Sequence, residues 1–368
     1  MKVLLLSPAP PPVGGIASWT INVVEYYEAH ENIEVTHQDT AMKYREVTNL
    51  DFVSRVTSGV KDSLITIIYF LKNLKFFKPN IVHLNSSGSL GLWKDLIIVF
   101  ISRLYKTPVI IHFHFGRIPE ISNLNNWEWR VLRRVVSLCA AAIVLDDESL
   151  DVLKSQGFKN IFNIPNPVSK YVEGFLFDDG QCRGTEKSSL AKVIFVGHVT
   201  KNKGVFELVE ACSLLNMIDG LVLIGPYEED VKNELLKIAL RGSLQISFTG
   251  ALDKESVLAE MRSASMMVLP SYSEGFPNVI IEAMAMKCPI VATNVGAIAS
   301  MLNVGSSKPA GIVIEPKNIK ALTTAIHLMI TESSQAELFR QNAFFKVKQE
   351  YTLEQVCDQY EEVWNAVH

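Results

Sequence analysis

Residues 266–285 read MMVLPSYSEGFPNVIIEAMA, and this segment gives the clearest indication of the fold. Residues 266–269 are uninterruptedly apolar and predict a buried β-strand, whereas residues 279–285 are apolar except for one acid and predict a helix. A Ser/Pro turn and a short loop join them. A buried strand that leads directly into a helix is the unit from which parallel α/β sheets are built.

The same alternation extends in both directions from this segment. Strand-like apolar runs, separated by helix-length segments, occupy residues 3–7, 81–84, 109–113 and 142–145, and then residues 192–196, 221–224, 246–249, 266–269, 290–292 and 311–314. Each series predicts a parallel sheet with helices on both faces. We therefore predict an α/β protein with two doubly wound, Rossmann-like domains and a cleft between them.

The boundary between the two series is a polar, Gly- and Ser-bearing stretch, which is typical of an interdomain linker. At 368 residues the chain is also long enough for two domains. We predict an N-terminal domain over 1–170, a linker over 171–190, a C-terminal domain over 191–345, and a helix over 346–368 that packs back toward the N-terminal domain.

Charge and cysteine content exclude several classes of protein. The net charge of -4, from 35 basic and 39 acidic residues, lacks the basic field of a nucleic-acid binder. Five dispersed cysteines without CxxC spacing predict neither a disulfide framework nor a zinc site. The apolar start is soon interrupted by prolines, and no long uncharged apolar run follows, so we expect a cytoplasmic protein with no spanning helix.

The loop and helix start after residues 266–269 predict an anion site. In open α/β sheets, ligands bind beyond the carboxyl ends of the strands, and the free N–H groups of a helix start favour phosphate. We therefore expect a diphosphate to lie against this turn, at Gly275, Phe276, Pro277, Asn278 and Val279.

Two glutamates bracket the same turn. Glu274 precedes it, and Glu282 lies within the apolar helix. There an unpaired carboxylate loses several kcal/mol of solvation unless it meets donors, which a ribose diol would supply. The alternative is that Glu274 is an ordinary loop residue and Glu282 an incidental polar position.

A second candidate element is VIFVGHVTKNKG, residues 193–204. It predicts a strand that ends at Gly197 and His198, followed by Lys203 just before a helix. A lysine at this place suits a clamp on phosphate, and an ordinary surface lysine is the alternative.

Residues 274–282 form an E-x7-E pattern, and PIVATNVG follows at residues 289–296. Together they resemble the signature of retaining GT-B glycosyltransferases of family 4, also called glycosyl transferases group 1. In that family the first glutamate, matched by Glu274, contacts the donor sugar near the reacting centre. The second, matched by Glu282, binds the ribose of the nucleotide.

Residues 197–204 resemble the family pattern G-R-L-x-x-x-K-G, so Lys203 matches the lysine that binds the diphosphate. His198 departs from that pattern, because the family usually has arginine there. Imidazoles, with an ordinary pKa of about 6.5, are only partly charged at neutral pH and lack the bidentate fork of arginine. We therefore expect diphosphate binding that is weaker or depends on pH.

The first domain is identified mainly by order and spacing. Gly14 and Gly15 join the first strand to the first helix, and His114 follows another strand. A plain turn and a structural histidine are the alternatives. In glycosyltransferases that resemble this chain, the first loop faces the donor phosphate and acceptor, and a histidine contacts the donor sugar, which assigns these roles to Gly15 and His114. His83 and Asn85 end a further strand and belong either to the acceptor side or to the core.

The resemblance implies transfer of a sugar from a nucleoside-diphosphate sugar to an acceptor hydroxyl, with retained configuration, in bacterial cell-surface polysaccharide or glycolipid assembly. No D-x-D sequence occurs, so we expect neither a metal nor a cofactor: Lys203, backbone amides and His198 would stabilise the leaving diphosphate. The alternatives are a non-catalytic sugar-nucleotide-binding subunit and a nucleotide-sugar epimerase or phosphorylase of the same fold. The incomplete glycine motif disfavours a Rossmann dehydrogenase.

The acceptor is a saccharide or a lipid-linked saccharide. Residues 61–78 and 93–106 mix apolar residues with lysines and arginines. Such segments either dock on anionic lipid or are buried helices whose lysines extend to the solvent. In the first case the protein binds peripherally to the inner face of the plasma membrane.

Overall fold

A computed structural model of the protein describes residues 1–11, 14–30, 32–41, 52–177 and 190–368. The chain divides into two compact units. Unit 1 comprises Met1–Ser169 and Leu353–His368, and unit 2 comprises Lys170–Thr352.

Unit 1 is built on a six-stranded parallel sheet. Its strands are β1 (Lys2–Ser7), β2 (Glu34–Asp39), β3 (Ile81–Ser86), β4 (Val109–Phe113), β5 (Ala141–Val144) and β6 (Ile161–Asn163). They lie in the order β2-β1-β3-β4-β5-β6, so the strand order reverses between β1 and β3. In doubly wound sheets this reversal opens the crevice in which ligands bind.

Helices cover both faces of the unit 1 sheet, and they begin with α1 (Gly15–Glu28), α2 (Phe52–Phe76), α3 (Gly91–Leu104), α4 (Ile118–Leu124), α5 (Trp127–Leu138) and α6 (Asp147–Ser155). Side chains alternate along each strand. In β1, Leu4 and Leu6 face the core under α2 to α6, whereas Val3 and Leu5 face the core under α1.

Unit 2 repeats the architecture with β7 (Ala191–Val196), β8 (Ile218–Ile224), β9 (Ile246–Gly250), β10 (Met266–Leu269), β11 (Ile290–Thr293) and β12 (Ile312–Ile314). The parallel order is β12-β11-β10-β7-β8-β9, with the reversal between β7 and β10. Its helices are α7 (Lys170–Phe177), α8 (Val205–Ser213), α9 (Glu229–Arg241), α10 (Lys254–Ser263), α11 (Asn278–Ala285), α12 (Ile298–Met301), α13 (Ile319–Thr331) and α14 (Ser333–Glu350).

The two sheets confirm the predicted α/β class with two doubly wound halves. The segment predicted as linker begins with α7, whose Val172 and Leu176 are buried at helical spacing within unit 2. Residues 178–189 lie outside the described residues. The segment predicted as one terminal helix, 346–368, holds the end of α14 in unit 2 and all of α15 (Leu353–Val367) in unit 1.

Candidate active site

Polar groups collect at the carboxyl edge of the unit 2 sheet, at the reversal of strand order. Gly197 and His198 follow β7, and Ser271 to Glu274 follow its neighbour β10. Because the strands are parallel, these loops leave the same edge of the sheet. This is the position at which doubly wound sheets bind their ligands.

A charged pair lies at the centre of this edge. The Lys203 ammonium donates to Glu274 Oε1 over 2.7 Å, and the Ser271 hydroxyl donates to the same oxygen over 2.6 Å. Thr293 Oγ1 in turn donates to the Ser271 carbonyl oxygen over 2.6 Å. The Glu274 side chain is only 11% exposed. Two residues that the sequence singled out in separate motifs therefore form one ion pair. Among the residues that the structure describes, no other group occupies the two remaining Lys203 N–H donors, which can bind an anion.

Two glycines let the surrounding chain approach the Glu274 loop closely. Gly204 has φ of 68°, and a Cβ there would lie 2.0 Å from the Pro270 carbonyl oxygen. Gly296 has φ of 55°, and a Cβ there would lie 2.4 Å from the Glu274 carbonyl oxygen. Both positions need glycine for their left-handed backbone and for space. They hold the turn before α8 against Pro270 and the loop after β11 against Glu274.

Glu282 has a partner that the sequence did not predict. Its Oε1 accepts a hydrogen bond from the ammonium of Lys254, the first residue of α10. The Glu282 side chain is 15% exposed, and burial raises its pKa while Lys254 opposes that rise. Glu282 Oε2 accepts no hydrogen bond from the residues described, so it can receive a ligand hydroxyl. The only sequence signal was the general need of a buried carboxylate for donors.

The turn that opens α11 offers mainly its backbone. Phe276 is buried and its ring packs edge-on against Tyr351, with ring centroids 5.8 Å apart. Pro277, the N-cap of α11, makes no side-chain cap and has no N–H to donate. Gly275 accepts a hydrogen bond from Ala297 N over 2.9 Å. Phe276 can therefore meet an anion only through its backbone N–H, and the predicted contact of Pro277 cannot be a hydrogen bond.

His198 lies at the same edge as the charged pair, directly after β7. Gly197 N donates to the Ile224 carbonyl oxygen over 2.9 Å, which ties this turn to β8. The His198 side chain is exposed and makes no hydrogen bond within the described part of the chain. Its imidazole is therefore available to a ligand.

The carboxyl edge of unit 1 carries neutral polar groups at its own strand reversal. Gly15 opens α1 and is exposed, and a Cβ at this position would meet no described atom within 4 Å. Ser7 and Thr20 share a hydroxyl hydrogen bond of 2.5 Å, and Asn85 Nδ2 donates to Ser7 Oγ over 2.7 Å. Asn85 Oδ1 is buried without a partner among the described residues.

Three histidines continue this group: His83 of β3 and His112 of β4 are buried, and the half-buried His114 directly follows β4. The Trp364 indole N–H donates to His83 Nδ1 over 3.1 Å, so the His83 proton lies on Nε2. His83 Nε2 lies 3.3 Å from His112 Nδ1, which places the His112 proton on its own Nε2. The rings of His112 and His114 are 3.9 Å apart, centroid to centroid, and Trp19 packs against both.

These histidines are uncharged at neutral pH. Burial lowers the pKa of His83 to about 3, and burial together with the nearby His83 lowers the pKa of His114 to about 3. Burial also lowers the pKa of His112 well below its ordinary value. The Nε2 atoms of His112 and His114 are buried without a partner within the described ranges. Neutral imidazoles of this kind exchange hydrogen bonds with hydroxyls and add no charge. The sequence pattern identified His114, but nothing in it pointed to Trp19 or Trp364.

Comparison with known families covers both units. The family model described as Glycosyl transferases group 1 matches residues 183–344, and the model described as Glycosyltransferase Family 4 matches residues 13–170. Each match covers less than half of the chain, but between them they include every site residue that the sequence predicts.

Individual relatives and solved structures are also similar to this chain. TuaC of Bacillus subtilis, named for teichuronic acid biosynthesis, is 35% identical, but over only 36% of this chain and 31% of its own length. CapM of Staphylococcus aureus, named for capsular polysaccharide biosynthesis, is 23% identical over 84% of this chain and 81% of its own. The crystal structure of HepE from Anabaena in complex with UDP is similar to this chain over 100% of both proteins, with 18% sequence identity and a TM-score of 0.71. The structure of HepE in complex with UDP-glucose has a TM-score of 0.70 to this chain.

Proposed function

This chain belongs to the GT-B glycosyltransferases, and we propose that it transfers a sugar from a nucleoside-diphosphate sugar to an acceptor hydroxyl with retention of anomeric configuration. The observation that carries the proposal is the pair of Lys203 and Glu274 at the strand reversal of unit 2. It combines a cation for a phosphate with a carboxylate for a sugar hydroxyl at the usual ligand position of this fold.

The diphosphate is the group that this edge suits best. The two remaining Lys203 donors, the backbone at the start of α11 and the exposed His198 would share its negative charge. Preorganised donors of this kind stabilise the charge that develops on a leaving group, which is the largest single contribution in many enzymes. We propose that they do so without a metal ion or cofactor.

Glu282 would bind the nucleoside. Lys254 holds one of its oxygens, and the other, which no described residue contacts by a hydrogen bond, would accept a ribose hydroxyl. HepE, which has this fold, is known in complexes with UDP and with UDP-glucose. A uridine diphosphate sugar is accordingly the first donor to test.

In the proposed reaction, the bond between the anomeric carbon and the leaving phosphate oxygen breaks while the acceptor oxygen bonds to that carbon from the same face. The acceptor proton passes to a phosphate oxygen of the donor. The protein positions the reactants and stabilises charge. Glu274 and the neutral His114 would hold sugar hydroxyls, and Gly15 would let the first loop approach the substrate without a side chain.

The acceptor we propose is a saccharide, free or lipid-linked, in the assembly of a bacterial polysaccharide or glycolipid. The names of TuaC and CapM, which refer to such polymers, support this choice. The exposed surface of unit 1 described below supports the lipid-linked form.

A non-catalytic subunit that binds a sugar nucleotide is the second candidate. His198 favours it, because this side chain replaces the arginine expected to neutralise a leaving diphosphate. A nucleotide-sugar epimerase of the same fold is the third.

Proton NMR of the reaction products separates these candidates. The purified protein is incubated with UDP-, GDP- and ADP-sugars, with water or oligosaccharides as acceptor, in the presence and absence of EDTA. We expect the first-formed sugar product to keep the donor configuration, at a rate that EDTA does not change. An inverted product would contradict retention, an epimerised donor would indicate the epimerase, and binding without any turnover would indicate the non-catalytic subunit.

A further inference from the structure

α3 carries an apolar stripe on its outer side. Trp93, Ile97, Phe100 and Leu104 are spaced by four, three and four residues, so they share one face of the helix. Each is between 46% and 69% exposed. The opposite side of α3 is fully used by the core, where Leu92, Ile98 and Val99 are buried. The stripe is therefore additional to what folding of unit 1 requires.

α2 extends this apolar surface. It packs against α3, and its Phe70 and Leu74 are buried in the same core. Leu64 and Ile68 lie four residues apart, and both are more than half exposed. We call the exposed sides of the two helices, defined by Leu64, Ile68, Trp93, Ile97, Phe100 and Leu104, the α2–α3 face. Contiguous exposed apolar patches mark sites of interaction, whereas apolar residues scattered singly over a surface do not.

The charge around the α2–α3 face is positive, although the whole chain has a net charge of -4. Residues 61–106 contain seven basic residues, Lys61, Lys72, Lys75, Lys78, Lys94, Arg103 and Lys106, against two acidic ones, Asp62 and Asp95. Asp95 is buried and binds Lys94 over 2.9 Å. Lys72 and Lys75 lie over the rings of Tyr69 and Phe76, at 5.3 and 5.8 Å from the ring centroids.

Apolar and aromatic side chains surrounded by lysine and arginine are the combination that binds the interface of an anionic bilayer. We propose that the α2–α3 face docks this protein on anionic lipid. No helix in the described part of the chain is both long and apolar enough to span a bilayer, and docking at the interface needs none. Two copies of this face would repel each other, because both are basic.

The position of the face connects it to the acceptor. α3 begins shortly after β3 leaves the carboxyl edge of the unit 1 sheet, so Trp93 lies at the end of the stripe nearest that edge. The Trp93 and Trp127 rings lie nearly parallel, with centroids 6.4 Å apart. Tryptophan favours the headgroup level of a bilayer. Docking would thus bring lipid-linked saccharides to unit 1, a consequence that rests on the proposed function, whereas lipid binding itself does not.

Sedimentation with vesicles tests the proposal. Vesicles of phosphatidylcholine alone are compared with vesicles that also contain phosphatidylglycerol, at low and high salt. We expect the full chain to bind the phosphatidylglycerol vesicles, with binding weakened by salt. In the double variant Ile97→Asp and Phe100→Asp, two apolar side chains no longer enter the interface, and we expect about a hundredfold lower partitioning.

The matched control is the double variant Leu240→Asp and Leu328→Asp, which makes the same kind of change at exposed apolar positions of unit 2 and should bind vesicles like the unchanged protein. Absence of binding to phosphatidylglycerol vesicles, or equal loss in both double variants, would overturn the proposal. A dimer that the Ile97 and Phe100 changes convert to monomer would also overturn it. Nucleotide-sugar binding is measured on each variant, so that failure of lipid docking and failure of the proposed function are distinguished.

Discussion

The two units share the doubly wound parallel architecture, with different strand orders, but carry contrasting chemistry at the carboxyl edges where those orders reverse. Unit 2 presents ion pairs, Lys203 with Glu274 and Lys254 with Glu282. Beside its strand reversal, unit 1 presents neutral groups, above all the buried His83 and His112 and the half-buried His114. The side chains that follow the strands, and how deeply they are buried, therefore distinguish what the two edges can bind.

Burial explains the difference. The side chains of Lys203 and Lys254 in unit 2 are 31% and 42% exposed, and each pairs with a partly buried carboxylate. The unit 1 histidines lie among Trp19, Tyr360 and Trp364, where burial removes their charge. A charged edge suits a diphosphate, and a neutral edge suits sugar hydroxyls.

The largest expected difference between the two units is in their response to acid, which should destabilise unit 1 through its histidines. The folded pKa of His83 and His114 is about 3, below the ordinary value of about 6.5. The unfolded chain therefore binds protons that the folded chain cannot, so stability is complete above about pH 6.5 and is lost as the pH falls toward 3. At pH 5 each of these histidines should cost about 2 kcal/mol of unfolding free energy.

Tryptophan fluorescence measures this loss, because all five tryptophans, Trp19, Trp93, Trp127, Trp129 and Trp364, belong to unit 1. We expect the urea midpoint seen by fluorescence to fall steeply between pH 7 and pH 5. The exposed unit 2 histidines serve as the control, since His198→Ala with His327→Ala should leave that fall unchanged. A midpoint that stays constant would show that the unit 1 histidines are not buried as neutral groups.

Lys203→Ala tests the charged edge. Loss of a preorganised donor to the leaving group should lower kcat/KM by about 100- to 1,000-fold. The control is Lys201→Ala, which removes an exposed lysine from the same short 3-10 turn and should retain activity. Steady-state kinetics with the preferred donor measure both. Equal activity of the Lys203 variant and the control would remove Lys203 from the mechanism.

The variants Glu282→Gln and Lys254→Ala together test whether Glu282 binds the nucleotide as a carboxylate. The amide is a weaker acceptor than the carboxylate, so Glu282→Gln should weaken nucleotide binding about tenfold. Lys254→Ala removes the cation that opposes the raised pKa of Glu282, so that pKa should rise further and binding should weaken increasingly as the pH is lowered. Calorimetric titration at several pH values checks this; the same pH dependence in both variants would argue against it.

His198→Arg should give the smallest change and the only gain. A permanent charge with a bidentate fork should tighten binding of the diphosphate, by about three- to tenfold at pH 8. Titration with the free nucleoside diphosphate measures the gain, and His198→Ala is the control for loss of the imidazole. Unchanged or weaker binding in the arginine variant would place His198 away from the phosphates.

Local sequence patterns predicted much of this comparison in advance. Apolar strand runs and intervening helices predicted two doubly wound halves, because buried parallel strands are apolar along their whole length. Glu274 and Lys203 each stood out within a motif of their own. Their direct pairing was not predicted, because 71 residues separate them and only the strand order brings them together.

Long-range packing accounts for the contacts that the sequence did not predict. Lys254 meets Glu282 across 28 residues, and Trp364 meets His83 across 281. No local pattern contains such a contact. α15 belongs to unit 1, and its Tyr360 and Trp364 pack against His83 of β3. The C-terminal segment therefore completes the surroundings of the unit 1 histidines.

The most direct test of the central claim, that the charged edge of unit 2 binds a nucleoside-diphosphate sugar, is calorimetric titration of the protein with UDP-, GDP- and ADP-sugars. We predict that one class of nucleotide binds, that Lys203→Ala and Glu282→Ala each weaken this binding, and that Lys201→Ala does not. Binding that persists unchanged in the Lys203 and Glu282 variants, or no binding by any class to the folded protein, would contradict the account.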